Sequence, residues 1–145
     1  MIEKPRLRGL FHLWAFFIAI VAAVVLFVLA DGATPRFAAW VYGTALAAMF
    51  GASALYHRYP FKSAARRVWA RRLDHSTIFL FIAGTYTPFA LLAFDGAISW
   101  VVLATVWSGV VTPLTYSLLA DRMADWIDGL RARYPALEPR LSPRG

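Results

Sequence analysis

The sequence contains no cysteine. That excludes disulfides and thiolate metal centres, and leaves cysteine usage silent about the redox compartment. Acidic residues are scarce, with eight Asp and Glu against fifteen Lys and Arg, a net charge of +7. Histidine occurs three times and never after His75. The absence with most consequence is local. Residues 10–30, 37–57, 78–94 and 97–120 carry no Asp, Glu, Lys or Arg.

What fills these stretches is apolar: 60% of the 145 residues are hydrophobic, with a mean hydropathy of +0.57. Uncharged apolar runs of this length read as transmembrane helices. A helix of 21 residues is about 31 Å long, close to the roughly 30 Å of bilayer hydrocarbon. The expected fold is all-α, a polytopic helix bundle. Its spans are expected at about 10–30, 37–57, 73–94 and 97–120. Residues 121–145 are expected as a cytoplasmic tail, a short surface helix over 124–134 followed by disorder. The leading "KPRLRG" resembles the n-region of a signal peptide, but the apolar run after it is too long for one, and the first helix is read as retained.

The basic balance invites a nucleic-acid reading, and its distribution argues against one. Lys and Arg number 3, 1, 6, 0 and 5 in the segments before, between and after the four spans. This alternation follows the positive-inside rule and places both termini in the cytoplasm, the protein being a multi-pass component of the plasma (inner) membrane. Six of the cations lie in the loop between spans two and three. There Arg66, Arg67, Arg71 and Arg72 surround Trp69, a pattern suited to a short amphipathic helix on anionic headgroups. The expected partner is the lipid bilayer, with no nucleic acid.

Gly43, Ala47 and Gly51 form a small-residue stripe on span two, which permits close approach of another helix. "AGTYTP", residues 83–88, places Pro88 inside span three, where it should kink the helix and free the Gly84 carbonyl.

The polar residues of the spans gather at one depth. His12 lies just inside span one, His57 ends span two, and Asp74 and His75 open span three. Ser53 precedes His57 by four residues and shares its helix face. Imidazole and carboxylate at the edge of a low-dielectric bundle suit a metal site. Plainer roles exist for each. A helix C-terminus favours His57 through the helix dipole, Asp74 is a good N-cap, and His12 and His75 suit the membrane interface. Neighbouring Asp74 and His75 point about 100° apart on a helix, which makes a shared centre difficult.

"SALYHR" (53–58), the basic loop after it and "RRLDHSTIFLFIAGTYTPFALL" (71–92) together resemble the hemolysin III family, within the progestin and adipoQ receptor group of seven-helix membrane proteins. "KPRLRGLFHL" is similar to the start of that family's first helix. The resemblance implies a zinc ligand at His57, a supporting role near the metal for Ser53, and contact of Asp74 with zinc or its bound water. It also implies two further histidines in a distal His-x-x-x-His motif, which this sequence lacks. His12 and His75 are the other donors at that depth. After Trp107 the chain departs from the family pattern, as a C-terminally truncated relative would. Three functions follow as expectations. The first is the pore-forming, cytolytic activity attached to the family name, which requires a homo-oligomer. The second is a zinc-dependent lipid amide hydrolase of the ceramidase kind, with ligands from another chain. The third is an inactive remnant.

Overall fold

The computed structural model describes residues 6–134, with side chains from Gly9 onward except at positions 113, 114, 116–118, 120 and 121. The described residues form four helices: α1 (Arg6–Leu29), α2 (Ala33–Arg58), α3 (Ala64–Leu92) and α4 (Gly96–Arg133). Three stretches, Gly9–Leu29, Ala33–Arg58 and Ala64–Leu92, are long and apolar enough to cross a membrane, and the apolar start of α4 runs over Gly96–Thr112. The bundle is a polytopic helical membrane architecture. Residues 1–111 form one compact unit, and residues 112–145 belong to a second.

Two of the three links between these helices turn at glycine. Gly32 has φ +91° and Gly96 has φ +61°, backbone that a side chain resists. Each therefore permits a turn of a few residues between antiparallel neighbours. At the first link the Arg36 side chain donates from Nε to the Ala30 carbonyl at 3.0 Å, satisfying an acceptor just beyond the end of α1. Pro35 sits in the first turn of α2, where its missing N–H costs no helical bond.

Helix α2 is the centre of the first unit, packed against α1 on one side and α3 on the other. Its apolar window is 39% buried, against 6% for α1. Small residues allow this. A Cβ on Gly43 would overlap Ala23 Cβ of α1, and a Cβ on Gly84 of α3 would overlap Ala45 Cβ of α2. The helix expected to approach the Gly43/Ala47/Gly51 stripe is therefore α1: Gly51 faces the Phe16 ring at 3.0 Å from an added Cβ. On α1 the contacts fall at Gly9, His12, Phe16 and Ala23, and buried Ala19 continues the series. The spacing of 3, 4, 3 and 4 is the seam of helices crossing at a shallow angle. In hydrocarbon no water is expelled by this contact, so dispersion between closely packed surfaces holds it.

The basic segment between spans two and three departs from expectation. Residues 66–72 are not a separate helix. They are the first turns of α3, which runs unbroken from Ala64 past Leu73. The run "AARRVWARRL" contains no breaker and is rich in strong helix formers, so nothing stops the helix at the polar boundary. Likewise residues 124–133 continue α4. The disorder expected after Pro135 lies outside the described residues.

Pro88 lies inside α3. Thr85 and Thr87 donate hydroxyl protons to the Phe81 and Ala83 carbonyls at 2.8 and 2.7 Å, satisfying themselves within the helix. Trp107 of α4 donates from Nε1 to Thr87 Oγ1 at 3.2 Å, which ties α4 to α3 one residue before the proline.

Glycine substitutions test the packing through opposite signs. Gly84→Ala should lower stability by about 1–3 kcal/mol through overpacking against Ala45. Gly109→Ala meets nothing within 4 Å and should raise stability by up to about 1 kcal/mol through helix propensity. Reversible unfolding of the detergent-solubilised protein in dodecyl sulfate measures both; equal shifts of the two would remove the close-approach argument.

Candidate functional site

The antiparallel order brings the start of α1, the end of α2 and the early part of α3 to the same end of the first unit. There, a cavity of about 400 Å³ is lined by His12, Ser53, Tyr56, His57, Asp74 and His75, with Met49, Phe50 and Ile78 as its apolar wall. All five polar residues singled out in the sequence reach one cavity. Tyr56 joins them. Its position one residue before His57 was the available signal in the sequence.

Each side chain is held by a different local device. His12 Nδ1 and Ser53 Oγ lie 2.6 Å apart, a hydrogen bond between α1 and α2. Ser53 is 4% exposed, so this bond is made in a dry environment, where an unmet hydroxyl would be costly. The His12 ring also meets the edge of Phe50 at 5.6 Å between centroids. Ser53 shares a helix face with His57, but the imidazole it bonds is that of His12 on the neighbouring helix.

His57 stands in the last turn of α2. Its ring packs edge-on to Tyr56 at 5.0 Å, and its Nδ1 is shielded from solvent. Gly9 makes room for this: a Cβ there would lie 2.9 Å from His57 Cβ. No hydropathy argument flags Gly9. Its only sequence signal is a glycine beside the basic "RLR", in a place where helix start would otherwise favour a longer side chain.

Asp74 lies well inside α3, whose N-cap position is Ser63. An N-cap role for Asp74 is therefore excluded, because a cap must precede the first helical turn. The Asp74 carbonyl accepts from Thr77 Oγ1 at 2.9 Å, leaving the carboxylate outside that bond. His75 is exposed, and its Nδ1–H donates to the Arg71 carbonyl at 2.8 Å. The acceptor fixes the tautomer, so the neutral ring presents Nε2 as its acceptor nitrogen.

Among the described residues, no group of three or more His, Cys, Asp or Glu side chains comes together closely enough to hold a metal ion. Sharing one cavity is thus weaker than converging on one point. His12 is turned to Ser53 and His75 to its own helix, while His57 and Asp74 are held on different helices. A zinc centre commonly takes three protein ligands and a water, and the donors among the described residues do not by themselves fit one.

Comparison with known proteins places the chain. The family model described as "Haemolysin-III related" matches residues 1–130. A protein named "Hemolysin-3" from Bacillus cereus is 42% identical over 50 residues, covering 34% of this chain and 23% of its own length. A "Hemolysin-3 homolog" from Bacillus subtilis (strain 168) is 34% identical over 68 residues, covering 47% of this chain and 31% of its own. The matched segments therefore span less than a third of either relative. No solved structure matches the chain. The family match continues beyond Trp107 to residue 130, which corrects the departure expected there.

Removing the serine hydroxyl isolates a bond that joins α1 to α2 in the cavity. Ser53→Ala should cost about 0.6–1 kcal/mol of stability. It should also shift the His12 imidazole nitrogen resonances in a ¹⁵N-histidine spectrum, leaving those of His75 in place. An unmoved His12 signal would show that Ser53 does not orient it.

Proposed function

Because the chain belongs to the haemolysin-III related family, we propose that it acts on bilayers as a membrane-permeabilising protein, embedded in the plasma (inner) membrane with its termini cytoplasmic. The family match is the observation that carries this reading, and the relatives' printed name, "Hemolysin-3", supplies the activity. The sidedness rests on the alternation of Lys and Arg counts, supported by the gathering of the α1 start, the α2 end and the α3 start at one end of the first unit. The basic first turns of α3 fit anionic headgroups: Arg66, Arg67 and Arg71 are exposed, and Arg72 stacks its guanidinium 5.7 Å from the Trp69 ring centroid.

Permeabilisation by this chain requires self-association. The histidines and Asp74 of the first unit lie at one end, and α1 turns Phe11, Trp14, Phe17, Ile18 and Val21 outward. A single copy therefore presents lipid-like surface along most of its depth and no polar lining for a water path.

The shared cavity favours a second reading, a zinc-dependent lipid amide hydrolase in which His57 and Asp74 hold the metal near Ser53. The donors among the described residues do not complete that centre. The hydrolase reading therefore needs ligands from elsewhere, and His12 and His75 are the additional donors on the spot.

Two measurements separate these readings. Under the first, dye release from liposomes should rise more steeply than in proportion to protein density and survive His57→Ala. A lack of release across neutral and anionic lipids rejects permeabilisation. Under the second, the folded protein should carry stoichiometric zinc by elemental analysis and lose it in His57→Ala. A folded protein that stays metal-free after incubation with zinc rejects the hydrolase.

A further inference from the structure

We propose that the groove between α1 and α2 at the basic end of the bundle binds an anionic phospholipid, with the phosphate on Arg58 and one acyl chain along Leu13, Phe16, Gly51 and Leu55. The groove has a volume of about 580 Å³ and shares no lining residue with the histidine cavity. Leu13, Phe16, Gly51, Ala54 and Leu55 make it apolar along its length, and Arg58 with Tyr59 closes one end. That gradient, hydrocarbon to cation and hydroxyl within one groove, matches a lipid tail joined to a phosphate.

Arg58 is available for this role. It is exposed, and among the described residues it makes no hydrogen bond or ion pair. Its stem passes beside Gly9, where an added Cβ would lie 2.9 Å from Arg58 Cγ. Among the described residues the charge at the groove mouth has no counter-ion.

The dimensions agree. From Gly51 to Arg58 the helix rises about 10 Å. Phe16 also lines the adjoining apolar groove of about 600 Å³, which continues past Gly43 to Trp40. Trp40 to Arg58 covers about 27 Å, nearly the whole hydrocarbon core, whereas one leaflet is about half of it. A single acyl chain thus fits within the run from Arg58 past Gly51 into the start of the second groove.

Electrostatics select lipid over a second copy of the chain. Another copy inserted with the same orientation brings its own Arg58 and basic segments to the same depth, opposite like charges. The acidic residue of α1–α3 at that end is Asp74, and it lines the histidine cavity rather than the groove. An anionic headgroup supplies the missing charge, and a neutral one does not. The inference shares only the membrane location with the permeabilisation reading, so either can fail while the other stands.

The test uses the full chain in phosphatidylcholine nanodiscs doped with phosphatidylglycerol carrying a photoactivatable acyl chain. Labelling should concentrate on the peptides holding Leu13, Phe16, Gly51 and Leu55. Unlabelled phosphatidylglycerol should displace it better than phosphatidylcholine does. Arg58→Gln should reduce that preference by about threefold. Leu55→Trp fills the groove without touching the charge and should reduce labelling by either lipid, while its helical circular dichroism stays that of the parent. Joint substitution of Arg66, Arg67, Arg71 and Arg72 by Gln should leave groove labelling in place. Label spread evenly over the outward faces of α1–α3, an undiminished signal in Leu55→Trp, an undiminished preference in Arg58→Gln, or cross-links joining two copies through the groove would each overturn the proposal.

Discussion

The close approach of helix backbones on both sides of α2 is the constraint on which the first unit depends. Gly43 against Ala23 and Gly84 against Ala45 are contacts at which no further atom fits. They set the separation of α1, α2 and α3 and also their registers. A membrane bundle gains little from hiding apolar surface, since lipid tails are as apolar as leucine. Fit between surfaces must supply what solvent exclusion supplies in water. Small residues serve because they let many dispersion contacts form along a seam, each worth about 0.1–0.2 kcal/mol.

Register at these two contacts determines what meets at the basic end. With Ala23 fixed on Gly43, the antiparallel α1 brings His12 to Ser53 and Gly9 to His57 and Arg58. One glycine, Gly9, thereby serves two neighbours on adjacent faces of α2: His57 on the cavity side and Arg58 on the groove side. The same stretch of α2 separates a polar cavity from an apolar groove. Ser53, Tyr56 and His57 face the first, and Gly51, Leu55 and Arg58 face the second. A helix repeats every 3.6 residues, so such a division needs no special backbone, only two residue classes at interleaved spacing.

Much of this was legible in the sequence, and the limits have physical reasons. Helix positions follow from uncharged runs and glycine turns, and the charge alternation correctly paired the basic ends. The depth of His12, His57, Asp74 and His75 was also readable, because depth follows from position along a span. Direction around the helix was not. In a water-soluble helix polarity marks the outward face, but in α1 nearly every residue is apolar, so the 9, 12, 16, 19, 23 seam leaves no hydropathy signal. Ser53 was expected to serve its own helix through His57. Its partner on α1 depends on interhelical register, which no local spacing encodes. The start of α3 was misplaced for a related reason. A hydropathy boundary near Leu73 marks where lipid begins, while the helix itself ends only at a breaker, and none precedes Ala64.

That difference between a lipid boundary and a helix boundary bears on Asp74. Had α3 begun there, the carboxylate would be occupied by the exposed N–H groups of a first turn. Because the helix starts two to three turns earlier, those groups are already bonded, and the Asp74 side chain is released toward the cavity. Arg66, Arg67 and Arg71 then ride on the same rigid helix, and the turn preceding His75 supplies the Arg71 carbonyl that holds its ring. The basic segment is thus structurally coupled to the cavity. A change in how the first turns of α3 sit at the headgroups must move Asp74 and His75 with them, since a continuous hydrogen-bonded helix has no joint between residues 64 and 75 at which to absorb it. Arg66, Arg67 and Arg71 and the cavity donors Asp74 and His75 thus belong to one continuous helix, packed on α2 through small-residue contacts.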